Sequence, residues 1–269
     1  MNTAIQIKNL KKQYGNQSVL NGISFEVKQG EIFALLGGNG AGKTTTLECM
    51  EGLKKYESGT IQVNGTVGIQ LQSASLPKHI KAKEAIQLFA KWNKAQIDDK
   101  ILANFGINRF AEKQYHQLST GQKRRLHLVL ALLRNPDILF LDEPTAGLDL
   151  EGRASLHEQI RQLKAKGVTI ILASHDMAEV ECLCDRIAIL NKGNLAFVGT
   201  LEQLHQTVSK QYCITITTNR KTEHYPSEHI SETLLPLLAQ YQAQGIEVLD
   251  IQVNRGSLEQ HFIKFAKEA

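Results

Sequence analysis

The apolar run IFALL, residues 32 to 36, leads directly into GGNGAGKT, Gly37 to Thr44, and then into the helix-forming stretch TTTLECM. Few folds accept that order. A short, wholly apolar run followed by a glycine-rich turn and a helix is the entry to a parallel, two-face-covered sheet, and the turn fits G-x-x-x-x-G-K-[ST] in full. Its glycines let successive backbone N–H groups face phosphate oxygens. Lys43 can bridge the β- and γ-phosphates of a nucleotide, and the Thr44 hydroxyl can ligate Mg²⁺. The expected cradle is therefore Gly37, Gly38, Asn39, Gly40, Ala41, Gly42, Lys43, Thr44 and Thr45.

A second apolar strand, ILFLD from Ile138, delivers Asp142 to its C-terminal end, where ligands of such sheets bind. Asp142 is the expected holder of the Mg²⁺ shell. The adjacent Glu143 is the natural general base to polarise a water for in-line attack on a γ-phosphate. A third run, VTIILAS from Val168, ends just before His175, which can reach the same sheet edge and donate a hydrogen bond to that phosphate. These residues by themselves define a Mg²⁺-dependent nucleoside triphosphatase.

Around them the pattern sorts into layers. AIQIKNL, ISFEV, TIQV and TVGIQ read as strands bounded by glycine and other turn residues. From Lys81 to about Lys113 the spacing turns helical, with Ala85, Ile86, Phe89 and Ala90 on one face. LSTGQ, residues 118 to 122, opens a further helix that Asn135-Pro136 stops, so Ser119 and Gly121 lie at a helix N-terminus suited to an anion. A helical stretch between Leu150 and Lys166 separates ILFLD from VTIILAS. RIAIL and LAFVG then form a hairpin around NKGN, and Thr200 with Gln203 is spaced as a capping box.

Beyond about Lys210 come CITIT, a helical segment around Leu234 to Ala243 that contains Pro236, the strand-like IEVLDIQV and a final helix from Ser257 with Gln260. The expected fold is α/β: a P-loop triphosphatase core with an inserted helical subdomain at about 73–134, over residues 1–209, then a small α+β appendage over 210–269.

Composition narrows the class. No apolar run approaches the roughly 18–20 residues that cross a bilayer, and MNTAIQIKNLKK lacks a signal peptide's apolar stretch. The net charge of +4, from 31 basic and 27 acidic residues, is small: it weakly permits a nucleic-acid or phospholipid partner but fits a solvated surface better, and no direct nucleic-acid binding is expected. Four cysteines without zinc-like spacing read as reduced structural thiols.

Taken in order, these pieces resemble the ATP-binding cassette (ABC) ATPases over roughly residues 4 to 200. LSTGQ is similar to the family signature usually written LSGGQ, which here ends in Gln122. ILFLDEPTAGLD looks like the Walker B strand running into the D-loop, with Asp149 as its aspartate, and SHDMAEVECLCDRIAIL resembles the switch-histidine region. Gln72, chosen over the nearby Gln70 for its place at the end of the strand, matches the glutamine that links metal and attacking water to the helical subdomain, and Tyr14 matches the aromatic that stacks on adenine. Thr120 departs from the family by replacing a glycine, and Gly38 stands where many members carry a larger residue.

The resemblance implies an antiparallel β subdomain, bound ATP and Mg²⁺, and a head-to-tail dimer with a second copy or another cassette, the signature of each subunit facing the phosphate loop of the other. The appendage and LSTGQ look most like ATPase subunits of ABC-2 type exporters. These pair with a separate integral membrane permease at the cytoplasmic face of the cell membrane. The other class consistent with the motifs is a soluble mechanochemical ATPase acting on DNA, ribosomes or cofactor assembly, but the sequence has neither sustained heptads nor a second cassette.

Overall fold

The computed structural model describes residues 2–70, 75–208 and 212–255. Gln72, and the helix expected from Ser257 with Gln260, lie outside the described residues. Strand β1 (Thr3–Tyr14) and strand β2 (Gln17–Lys28) pair antiparallel, with Ile5 opposite Val27 and Ile7 opposite Phe25. Strand β3 (Ile32–Gly37) is buried along its whole length and leads through the glycine turn into helix α1 (Lys43–Met50). Strand β4 (Ser58–Val63) pairs with the other edge of β1 to complete a three-stranded antiparallel sheet, and strand β5 (Val67–Gln70) joins a different one.

The stretch expected to be helical from Lys81 to about Lys113 holds two α-helices and a 3-10 turn at Ile107–Arg109. Helix α2 (Ala82–Asn93) ends where Lys94 adopts φ 52, and helix α3 (Asp99–Asn104) begins at Asp98, whose carboxylate accepts from the backbone N–H of Lys100. Helix α4 (Thr120–Leu132) stops before Asn135, which takes φ 46 ahead of Pro136. Then follow strand β6 (Ile138–Asp142), helix α5 (Leu150–Ala165), strand β7 (Thr169–Ser174), helix α6 (Met177–Leu183), strand β8 (Arg186–Asn191) and strand β9 (Asn194–Gly199). The β8–β9 turn has positive φ at both Lys192 and Gly193, the backbone that a tight hairpin requires.

The second sheet has the order β5-β6-β7-β3-β8-β9, with β5 through β8 mutually parallel where paired. Its core explains the apolar runs. Phe33, Leu35, Phe140, Ile171 and Leu190 pack with Leu47 and Met50 of α1 and with Ile5, Ile7 and Leu20 of the antiparallel sheet. Ile32, Ala34, Leu36, Leu139 and Leu172, alternating with them, are equally inaccessible, so both faces are covered. Each of the leucine, isoleucine, phenylalanine and methionine side chains contributes roughly 1.5–3 kcal/mol of burial. The consequence for function is rigidity where the C-terminal ends of β3, β6 and β7, three adjacent strands, come together.

The chain divides into two compact units, Met1–Val198 and Gly199–Ala269. The second opens with helix α7 (Leu201–Val208), where Thr200 and Gln203 form the expected reciprocal cap. Its sheet has the order β11-β10-β12, from strand β10 (Tyr212–Thr218), strand β11 (Thr222–Ser227) and strand β12 (Val248–Arg255). Helix α8 (Ile230–Ala243) supplies Tyr241 to a core with Ile214 and Ile216. Strand β11 was not anticipated: TEHYPS lies at a sheet edge, pairs only with β10, and needs little apolar surface.

Candidate functional site

The turn after β3 is shaped by backbone needs. Gly40 and Gly42 take φ +76 and +106, and a Cβ on Gly42 would lie 2.7 Å from Leu20 Cδ2. A Cβ on Gly37 would come within 2.6 Å of the Leu190 carbonyl oxygen and 2.8 Å of Ala41 Cβ. Gly38 has open space instead, so nothing in the fold demands glycine there. Gly42 is the N-cap of α1 and offers no side chain, which leaves the first N–H groups of the helix directed at the loop. Gly38, Asn39, Gly40 and Thr44 are exposed, Thr45 is half-buried, and Ala41 N–H closes the turn onto the Gly38 carbonyl at 3.2 Å.

Lys43 is buried and donates to the carbonyls of Gly37 at 2.8 Å and Gly38 at 3.2 Å. Burial lowers its pKa, and the carboxylates of Glu143 and Asp142 oppose that shift. Asp142 ends β6, buried, and accepts from the Thr44 hydroxyl at 3.4 Å. Its own pKa is raised, first by burial and then by Glu143, with Thr44 and Lys43 counteracting. One cation and two carboxylates thus share a poorly hydrated corner, which favours a charged ligand that rebalances them.

Glu143 takes φ 46, a left-handed conformation costing on the order of 1–2 kcal/mol for a residue with a side chain. Its N–H donates to the Ala173 carbonyl of β7 at 2.9 Å, which holds it in that conformation. Oε1 lies 2.9 Å from Nδ1 of His175, an exposed ring one residue past β7. Lys43, Thr44, Asp142, Glu143 and His175 therefore converge on one sheet edge.

A second group gathers elsewhere. Ser119 caps α4: its hydroxyl accepts from the N–H of Gln122 at 3.2 Å, and its own N–H donates to Gln122 Oε1 at 3.1 Å. Ser119, Thr120 and Gly121 line a groove of about 520 Å³ with Asp149, which caps α5 by accepting from Gly152 N–H at 2.8 Å. Thr120 is the first residue of α4 and is absent from the positive-φ residues, so a β-branched side chain sits there without strain. None of the residues lining this groove belongs to the phosphate turn. Tyr14 stands apart from both groups, exposed at the end of β1, with the ammonium groups of Lys12 and Lys54 at 5.0 and 5.9 Å from its ring centre.

Sequence reasoning missed three features. Arg109, Arg124 and Arg125 line the same groove as Ser119 and outnumber its carboxylates, Asp149 and Glu151, by three to two. KRR after the signature was the available signal. Glu51, at the C-terminal cap of α1, has its pKa raised to about 7, mainly by burial and then by Asp142 and Glu48. Glu179 lies buried behind His175, where Ser174 donates to it at 2.6 Å.

The glycine turn at the end of a central parallel strand, with an acidic pair at the end of its neighbour but one, defines a P-loop nucleoside triphosphatase. A family model described as ABC transporter matches residues 20–146. The linearmycin resistance ATP-binding protein LnrL of Bacillus subtilis is 32% identical, the match spanning 96% of this chain and 97% of that one. The Nod factor export ATP-binding protein I of Burkholderia orbicola is 39% identical over 70% of this chain and 68% of its own. A solved ATP-binding subunit of an ABC transporter superposes with a TM-score of 0.68 at 29% identity, covering 76% of this chain and 92% of that one. The chain belongs to the ATP-binding subunits of ABC transporters and is an ATPase. Among the described residues no helix is long and apolar enough to cross a membrane.

Proposed function

We propose that this chain is the motor of an exporter, binding ATP with Mg²⁺ at the Lys43 turn and completing its site only with a second cassette. The observation that carries the reading is the division of the motif residues between two non-overlapping places, the sheet edge of Lys43 to His175 and the groove of Ser119, Gly121 and Asp149. A head-to-tail dimer places one against the other. In this arrangement the γ-phosphate meets Lys43 on one side and the Ser119 helix end, with its three arginines, on the other. Residues 1–209 do this work, and 210–269 are an accessory domain.

The donor set fits the metal. A hydroxyl and a carboxylate 3.4 Å apart are hard oxygen donors, and Mg²⁺ takes one or two such ligands and completes its shell with phosphate and water. Thr44 and Asp142 would hold it, and Gln72 is the further ligand that the family resemblance implies. When bound, the ion would neutralise negative charge on the nucleotide's phosphates. Glu143 accepts the proton of a water whose oxygen attacks the γ-phosphorus as the bond to ADP breaks, and His175 steadies that carboxylate and the transferred phosphoryl group. Tyr14 stacks on adenine. Gln122 fixes the Ser119 cap.

Closure by ATP and reopening after hydrolysis make the output a differential-affinity switch. Its recipient is an integral membrane permease that holds this chain at the cytoplasmic face, a reading supported by the drug-resistance and export functions in the names of the relatives. The test is a Glu143→Gln protein with ATP and Mg²⁺ on a sizing column, which should run as a dimer that wild type does not accumulate. A monomer under these conditions refutes the composite site. Detergent extraction of tagged chain should also bring down a polytopic membrane protein, and recovery of ribosomes or nucleic acid alone would refute the exporter reading.

A further inference from the structure

Three buried polar side chains behind the site have no role in the reading above. Glu179 of α6 is 3% exposed, and its Oε2 accepts from the Ser174 hydroxyl at 2.6 Å. That hydroxyl in turn accepts from the N–H of Asp176 at 3.0 Å, so the turn on which His175 rides is fastened on both sides of the histidine. Thr145, 4% exposed and two residues beyond Glu143, is a further buried hydroxyl near the Glu179 carboxyl and opposes the rise in its pKa. The bonded tie runs from Glu179 through Ser174 to the turn that carries His175.

A second tie comes from α5, where Arg153 Nη1 donates to Asp176 Oδ2 at 2.6 Å. The remaining carboxyl oxygen, Glu179 Oε1, faces His157 Nε2 of α5 at 3.8 Å, and neither atom has a hydrogen-bond partner. A buried carboxylate is expensive to keep without its bonds, and a packed interior offers it few alternative positions. Burial raises the Glu179 pKa while the Ser174 and Thr145 hydroxyls oppose the shift.

We propose that Glu179, through Ser174, is the positioning residue that sets the 2.9 Å contact between Glu143 and His175. Ser174 lies one residue before the histidine, its hydroxyl held between the Glu179 carboxyl and the Asp176 N–H. Glu143 is already held in a left-handed backbone conformation, so its carboxylate has little freedom to find the ring if the turn that carries His175 shifts. A displacement of about 1 Å at reacting groups costs on the order of a hundredfold in rate, and a partial one correspondingly less. This inference rests on Glu143 and His175 serving the bound ATP.

The experiment is a double-mutant cycle on the full chain, read as single-turnover phosphate release, with KM for ATP and the melting temperature measured in parallel. Ser174→Ala removes the bonded hydroxyl with little change in volume, which guards against a Glu179→Ala protein that fails to fold. It should lower the rate about tenfold with KM unchanged, while Glu179→Gln, which retains an acceptor for the Ser174 hydroxyl, should stay within about threefold of wild type. On a His175→Ala background the Ser174→Ala loss should shrink to less than about twofold, because its effect passes through the missing ring. Full, additive loss on that background, or loss in KM with the rate unchanged, overturns the positioning role. If His175→Ala and Glu143→Gln both keep the wild-type rate, the reading of the site itself falls and this inference with it.

Discussion

Replacing Glu51 by glutamine tests whether the crowded charge behind the phosphate turn has the cost that its surroundings imply. Its pKa rises from the ordinary 4.5 to about 7 because the half-buried carboxyl loses water and sits within the field of Asp142 and Glu48. At about 1.4 kcal/mol per pKa unit the full difference is worth roughly 3 kcal/mol, and partial solvent screening reduces it to about 1–2 kcal/mol. A carboxyl raised in the native state holds its proton there more tightly than in the unfolded chain. Its stabilising protonated form is fully present below about 4.5 and is lost as pH rises through about 7. Glu51→Gln should therefore gain about 1–2 kcal/mol over wild type at pH 8 and almost nothing at pH 4.5. Urea unfolding at the two pH values measures this, with the slope m checked for constancy. An equal gain at both pH values would assign the effect to packing or helix capping, and no gain at pH 8 would refute the electrostatic reasoning.

Two further outcomes follow from the backbone. Gly42→Ala should cost about 1–3 kcal/mol and weaken ATP binding, since φ +106 and a contact 2.7 Å from Leu20 Cδ2 both oppose a side chain, whereas Gly38→Ala should change stability by less than about 0.5 kcal/mol. Thermal unfolding and nucleotide titration distinguish them. Thr120→Gly should leave ATPase activity within about twofold and slightly lower stability, because glycine at the first position of α4 removes no strain and adds unfolded-state freedom. A gain in rate of tenfold or more would show that the threonine methyl obstructs the neighbouring subunit.

What could be read from the sequence, and what could not, divides along a physical line. Lys43, Asp142 and Glu143 were legible because their chemistry demands particular residue types at fixed places on strand ends, and an apolar run is an unambiguous marker of a doubly covered strand. His175 was placed near them by counting from the end of β7, and the structure sets its ring 2.9 Å from Glu143. Glu179 and Ser174 gave no such signal. A buried hydrogen bond between a helix and the end of a strand has no period and no spacing, so only the folded chain reveals it. Strand β11 was hidden for a related reason: an edge strand carried by one neighbour's hydrogen bonds can be made of almost any residues.

The positive φ of Glu143 was equally unreadable, and it matters more. Among the described residues with side chains and positive φ, Asn9, Lys94, Asn135 and Lys192 lie outside the phosphate-turn group, while Glu143 alone belongs to it. Its strain is held by the bond from its N–H to Ala173, one strand away and two residues before His175. The same β7 segment thus fixes the backbone of the carboxylate and carries the ring that meets its side chain. A change that shifts the end of β7 must disturb both at once, which is why a buried anchor such as Glu179 can govern the pair without touching the nucleotide.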